Sequence, residues 1–389
     1  MTRLIPAKRM QHIAPFRVME TLAQARAMQA NGVDVVHMEV GEPDFPAPPQ
    51  IIEAAQAALR QGMTHYTPAA GLPALREALA GYYADRFGVD IDPRRIIVTP
   101  GASGALQLAW AVLVNLGDKV LLQDPGYPCN RHMVRLFGGE PIAIAQSGGA
   151  TDPMQLQVDL AGARGAMLAS PANPTGEVLA IESLREIYRA IDSERQFLLV
   201  DEIYQGLQYG TPIDTALTLG EAGLFVINSF SKYFGMTGFR LGWMVVPSEF
   251  SEPVERLAQN LFLAPPTVAQ YAAMAAFTPE VRDELEYRRG IFQRRRDLLF
   301  KGLADAGFGL PERPPEGAFY VYANVDALGR SGEEFAAELL RQTGVAITPG
   351  ADFGQRETDR HVRFAYTTDE RRIEEGLARI ARYVANGAG

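Results

Sequence analysis

Between Ser229 and Gly242 the chain reads Ser-Phe-Ser-Lys-Tyr-Phe-Gly-Met-Thr-Gly-Phe-Arg-Leu-Gly, a run dense in residue types that do chemistry. Lys232 offers a primary amine, which condenses with an aldehyde to a Schiff base. Ser229 and Ser231 lie just before it and Arg240 just after, and hydroxyls with a guanidinium suit a phosphate group. One small molecule carrying both an aldehyde and a phosphate would satisfy the whole run. Taken alone, Lys232 reads equally as a surface lysine in a turn, so the rest of the chain must supply the test.

Such a run needs a frame. From about Ile51 to Gly290 short apolar stretches alternate with helical patterns. Residues 95–99, 119–123, 166–169, 197–200, 224–227 and 241–246 read as strands. Ser103 reads as the cap of a helix running to about Leu116, and 181–191 as another helix. Near-continuous apolar strands between helices predict an α/β fold, its sheet mostly parallel and flanked by helices on both faces. Ligands bind such sheets beyond the carboxyl ends of the strands. Ser103, Tyr127, Asn173, Asp201, Ser229 and Lys232 all fall at those ends. Past Gly290 the pattern becomes a smaller α+β unit: a helix over 291–306, a strand over 318–322, a helix over 332–342, strand pieces near Val345 and Val362, and a last helix over 369–384. A strand over 35–40 is expected to join it. The reading gives a large domain, 48–290, and a small domain made of 1–47 and 291–389.

Other candidates lie along this frame. Asp201 closes the apolar run Phe-Leu-Leu-Val. Apolar run plus Asp-Glu also fits a Walker B strand, but the sequence lacks the Gly-x-x-x-x-Gly-Lys-Ser/Thr loop that reading requires. A helix N-cap is the plainer alternative. Asn173 stands in Asn-Pro-Thr-Gly, two turn dipeptides in series. Gly101-Ala102-Ser103-Gly104 opens an apolar helix, so its backbone N–H groups would face an anion. By themselves Tyr66, Tyr127 and Tyr204 read as packed aromatics and Arg363 as a surface charge. Glu42 and Asp44 read as loop acids without a chemical role. The histidines show no metal-ligand spacing and no Gly-x-Ser-x-Gly elbow occurs, so neither a metal centre nor a serine hydrolase is expected.

Composition narrows the class. The chain has 389 residues, 47% hydrophobic and 21% charged, which suits a globular protein with a sizeable core. A net charge of -9 argues against general nucleic-acid binding. Cys129 is the only cysteine, so no intrachain disulfide forms. The N-terminal stretch has no apolar h-region, and the most apolar helical stretch, 104–116, is too short for a bilayer. A cytoplasmic location without membrane association is expected.

The segment around Lys232 resembles the active-site lysine signature of class I/II aminotransferases. Asn-Pro-Thr-Gly after a short strand, Asp201 with Tyr204, and Tyr66 followed by Gly-x-x-x-Leu-Arg resemble further marks of that family in its order. The likeness runs from about Gly41 to Arg363. It implies the aspartate-aminotransferase type of fold (fold type I) and pyridoxal 5′-phosphate (PLP) as cofactor. On that resemblance Lys232 holds the cofactor as a Schiff base and shuttles a proton at the substrate Cα. Asp201 pairs with the pyridine nitrogen, and Tyr204 reaches the ring hydroxyl. Asn173 bonds the ring oxygen and the substrate carboxylate, and Tyr127 stacks on the ring. Ala102, Ser103, Ser229, Ser231 and Arg240 hold the phosphate. Arg363 clamps the substrate α-carboxylate and the Gly41 backbone meets it. Tyr66 reaches the phosphate of the other subunit, which implies a homodimer with shared sites. The expected activity is ping-pong transfer between an amino acid and a 2-oxo acid. The alternative is a β-eliminating C–S lyase, which uses the same residues. No arginine is assigned to a side-chain carboxylate, and the Ala102-Ser103 loop has no lysine, which disfavours a strict aspartate enzyme.

Overall fold

In the computed structural model, which describes residues 4–144, 146–147, 150–151 and 153–387, seven strands form a central sheet. They are β1 (Ile96–Thr99), β2 (Lys119–Leu122), β3 (Glu140–Ala143), β4 (Gly165–Ala169), β5 (Phe197–Asp201), β6 (Leu224–Ser229) and β7 (Gly242–Val245). The order is β1-β7-β6-β5-β4-β2-β3. Every pairing is parallel except those of β7, which runs against both β1 and β6. Side chains alternate faces along a strand. In β5, Leu198 and Val200 pack with Leu75, Leu79 and Trp243, while Phe197 and Leu199 pack with Leu106 and Trp110 on the other face. Burial on both faces is why the central strands β5 and β6 stay apolar until their last residues.

Three helices matter for the site: α1 (Arg17–Ala30), α2 (Gly101–Leu113) and α3 (Pro279–Asp305). Ser103 is not the cap of α2. The helix begins at Gly101 with Pro100 as its N-cap. Gly101 takes a left-handed φ of 71° and turns the chain off β1 before Ser103 is reached. Ser103 therefore lies in the first turn, where backbone N–H groups lack helical partners. α3 is longer than the expected 291–306, and the expected boundary at 290 falls inside it. One glycine costs a helix interior about 1 kcal/mol. Burial of Leu285, Phe292 and Leu299 along one face outweighs that.

A second sheet, antiparallel throughout, has the order β8 (Tyr320–Asn324), β10 (His361–Ala365), β9 (Thr348–Pro349). β8 starts later than expected because Ala318 takes a φ of 59°, which breaks the extended chain. The strand expected over 35–40 is only Val36–His37, paired in parallel with Val345–Ala346. Past it, the Met38 carbonyl still accepts the Ala365 N–H at 2.7 Å, so the N-terminal segment is tied to the C-terminal sheet. Among the described residues no helix is long and apolar enough to cross a membrane, and no cluster of His, Cys, Asp and Glu suits a metal ion.

Candidate active site

A cavity of about 350 Å³ opens at the carboxyl ends of β4, β5 and β6. One end of it is built from consecutive chain. β6 ends at Ser229, the loop delivers Ser231, Lys232 and Arg240, and the chain returns as β7, with Gly242 opposite both Ser229 and Thr99. That register sets Arg240 against the start of α2. A Cβ on Gly101 would lie 2.7 Å from an Nη of Arg240 and would push the guanidinium aside, and the left-handed φ favours glycine there in any case. Arg240 itself holds a left-handed φ of 53°, an uncommon conformation for a side-chain-bearing residue. Its Nη1 donates to the Thr237 carbonyl at 2.9 Å. The Ser229 hydroxyl lies 3.0 Å from that of Ser231 and accepts the Ser231 N–H at 3.1 Å. The first turn of α2, two hydroxyls and an exposed guanidinium thus converge with donors to spare, a donor set that fits a phosphate dianion.

Lys232 lies at the centre. Its Nζ donates to the Gly41 carbonyl at 2.7 Å. Burial lowers its pKa to about 8; Glu42 opposes the shift, and Arg363 and Arg240 add to it. Near neutral pH a useful fraction of the amine is therefore unprotonated and nucleophilic. Asp201 is buried at the tip of β5, and among the described residues its carboxylate accepts only the Ile203 N–H, at 3.0 Å. Burial raises its pKa to about 6. A buried carboxylate so poorly supplied with donors suits a cationic N–H, as a protonated pyridine nitrogen offers. Its neighbour Glu202 points the other way and accepts from Ala216 N–H, Thr215 and Gln205; burial raises it to about 8. Tyr204 is buried, with its hydroxyl 2.7 Å from that of Tyr320, and burial pushes its pKa well above the usual range. The residues present therefore fit a cofactor with an aldehyde, a ring nitrogen and a phosphate.

The opposite end is assembled from distant chain. Arg363, on β10, is only 2% exposed. Its Nη1 donates to Asn173 Oδ1 at 2.9 Å, and its Nη2 donates to the Glu39 carbonyl at 2.5 Å. The guanidinium stacks on the rings of Tyr320 at 4.2 Å and Phe353 at 4.7 Å. Its Nε has no partner, and no carboxylate pairs with it among the described residues. A buried guanidinium without a counter-ion is a ready receptor for an incoming carboxylate. Phe16, Val18 and Met19 wall the cavity nearby, with Phe16 edge-on to Tyr127 at 5.9 Å. The Asp352 carboxylate accepts the N–H groups of Arg17 and Val18 at 3.3 and 3.4 Å and so anchors the start of α1.

Of the residues singled out in the sequence, the cavity brings together Gly41, Ala102, Ser103, Tyr127, Asn173, Asp201, Tyr204, Ser229, Ser231, Lys232, Arg240 and Arg363. Tyr66 lies outside it and is 82% exposed, so it is not a packed aromatic of this chain. Asp44 makes a two-pronged ion pair with Arg295 at 2.8 and 2.9 Å. Glu42, read as an idle loop acid, lies on the cavity wall. Tyr320 and the Phe16–Met19 wall escaped the sequence reading. The one available signal for Tyr320 was the Tyr-Val-Tyr alternation, which puts two hydroxyl-tipped rings on one face of a strand.

The family model for aminotransferase class I and II matches residues 33–380. The chain is 37% identical to a (5-formylfuran-3-yl)methyl phosphate transaminase of Methanocaldococcus jannaschii, covering 97% of this chain and 99% of that protein. It is also 37% identical to a valine–pyruvate aminotransferase of Mycobacterium tuberculosis, covering 96% and 97%. Among solved structures, an aminotransferase from Mycobacterium tuberculosis superposes with a TM-score of 0.94 at 36% identity, over 99% of this chain and 100% of that one. Likeness that runs end to end in both sequence and fold makes this chain a member of the class I and II aminotransferases, PLP-dependent enzymes that transfer amino groups between amino acids and 2-oxo acids.

Proposed function

We propose that Lys232 carries the cofactor and moves the proton in this transamination, while Arg363 and Asn173 hold the substrate carboxylate. One observation carries the reading. Lys232, Asp201, Asn173 and Arg363, far apart in sequence, line a single cavity whose far end is a set of phosphate-suited donors. When bound, PLP supplies an aldehyde for amine exchange and a ring that takes up the electron pair left when the Cα–H bond breaks. The chain's residues do the rest. Ser229, Ser231, Arg240 and the first turn of α2 at Ala102 and Ser103 hold the phosphate. Asp201 keeps the ring nitrogen protonated, Tyr127 stacks on the ring, and Tyr204 and Asn173 donate to its oxygen. Arg363 binds the substrate α-carboxylate beside the Gly41 backbone, which sets Cα within reach of the freed Lys232 Nζ. That amine would take the Cα proton and hold it for the return transfer.

The remaining readings follow the same site. Residues 1–47 and 291–389 act as a small domain that closes on 48–290 as Arg363 meets the substrate carboxylate. Two copies share their sites through Tyr66, which the exposure of that side chain and the likeness of its segment support. The cytoplasm is the proposed compartment, in keeping with a single cysteine. The test is a visible spectrum of the PLP-loaded protein as amino acids are added singly without a 2-oxo acid. Bleaching of the yellow band with release of the matching 2-oxo acid supports transamination and names the donor. Pyruvate and ammonia from cysteine under those conditions would make it a C–S lyase.

A further inference from the structure

Tyr320 lines the cavity without a role assigned so far, and it touches three groups that have one: Tyr204, Arg363 and Gly41. It is buried at the start of β8. Its hydroxyl lies 2.7 Å from that of Tyr204, and among the described residues it has no other hydrogen-bond partner. Its ring lies under the Arg363 guanidinium at 4.2 Å. A Cβ on Gly41 would stand 1.7 Å from its hydroxyl oxygen, so Gly41, whose carbonyl holds Lys232, is kept bare by this ring.

We infer that Tyr320 is a positioning residue, whose hydroxyl donates to Tyr204 and thereby aims the Tyr204 O–H at the cofactor's ring oxygen. The inference rests on the proposed role of Tyr204. Only one proton can lie between two phenol oxygens. If Tyr204 spends its proton on the ring oxygen, it must accept from Tyr320, and Tyr320 has nowhere else to donate. A donor behind Tyr204 also polarises it and strengthens its own hydrogen bond. The other charged and titratable groups facing this pair are Arg363, Tyr127 and Lys232. Arg363 favours the ionised form of both phenols, while burial disfavours it in both. The pair therefore stays neutral and able to donate.

The test titrates the visible band of the PLP-loaded protein. Hydrogen bonding to the ring oxygen stabilises it as an anion, which favours the form without a proton on the neighbouring imine nitrogen. Tyr320→Phe keeps the ring under Arg363 and removes only the hydroxyl. The midpoint should rise by about 0.3–1 pH unit, the equivalent of one ordinary hydrogen bond. Tyr204→Phe should raise it further, and Tyr320→Phe added to Tyr204→Phe should change nothing more. The donor KM should hold in Tyr320→Phe. An unchanged midpoint in Tyr320→Phe, with Tyr204→Phe shifted, would overturn the inference and leave the proposed function standing. An equal shift in both backgrounds would also overturn it, since the effect would not pass through Tyr204. A wild-type protein without a visible band would remove the proposed function and this inference together.

Discussion

The two ends of the cavity each hold an arginine, and they are built in opposite ways. Arg240 comes from the same short stretch as Ser229, Ser231 and Lys232, and it is exposed, with one bond to Thr237 in its own turn. Arg363 is buried and is held by Asn173, Glu39, Thr348, Tyr320 and Phe353, which come from distant parts of the chain. The first end has several donors converging on one place. The second has a single fixed cation with no counter-ion of its own. Redundancy suits a group held through every turnover. A lone, pre-set guanidinium suits a group that must enter and leave, since its desolvation is already complete before the substrate arrives.

That contrast ranks the consequences of substitution. Lys232 stands between the two ends and has no substitute, so Lys232→Ala should lower both half-reactions by ~10²–10⁴-fold or more, with the fold intact by circular dichroism. Normal turnover in that variant would break the assignment of either end. Arg363→Ala should follow, because removing one partner of a buried charge pair costs ~2–5 kcal/mol. The donor KM would rise roughly 30-fold or more, while cofactor retention on dialysis stays near wild type. An unchanged KM would move the carboxylate site elsewhere. Arg240→Ala should act on the other quantity. Losing a hydrogen bond to a charged group costs ~1.5–3 kcal/mol, so the loss of PLP on dialysis should accelerate roughly 10- to 100-fold with donor KM little changed. If both variants altered both quantities alike, the division into a cofactor end and a substrate end would fail.

The smallest expected effect comes from outside both ends. Asp201 and Glu202 are adjacent, but only Asp201 faces the cavity. Folded Glu202 keeps its proton up to about pH 8, against 4.5 for the free side chain. Between those values the folded state binds more protons than the unfolded one, so stability falls as pH rises. Glu202→Gln should flatten that fall in the cofactor-free protein, measured by urea unfolding across the window, without shifting donor KM. An undiminished slope would assign the pH dependence to Asp201, whose pKa is raised to about 6 and which contributes over a narrower range.

Much of this was legible in the sequence, unevenly. Six of the seven strands of the large sheet showed as apolar runs, as β5 and β6 do because both their faces are covered, while the edge strand β3, which opens on exposed Glu140, did not. Their boundaries moved by a residue or two. The start of α2 was misplaced because a capping serine is a local signal, and Gly101 turned the chain earlier. The extent of α3 was missed because Gly290 looks like a break, and only packing shows that the helix absorbs it.

What the sequence determined by itself is what adjacency determines: the residue types and order from Ser229 to Gly242, the apolar frame beneath them, and the family likeness those runs carry. The tertiary structure decided everything that depends on who meets whom. It brought β10 beside Asn173, closed the N-terminal segment onto the same cavity, and stacked Tyr320 between Tyr204 and Arg363. It also set the electrostatics, because Lys232 and Asp201 shift chiefly through burial, a property of the surrounding packing that no spacing of residues along a chain encodes.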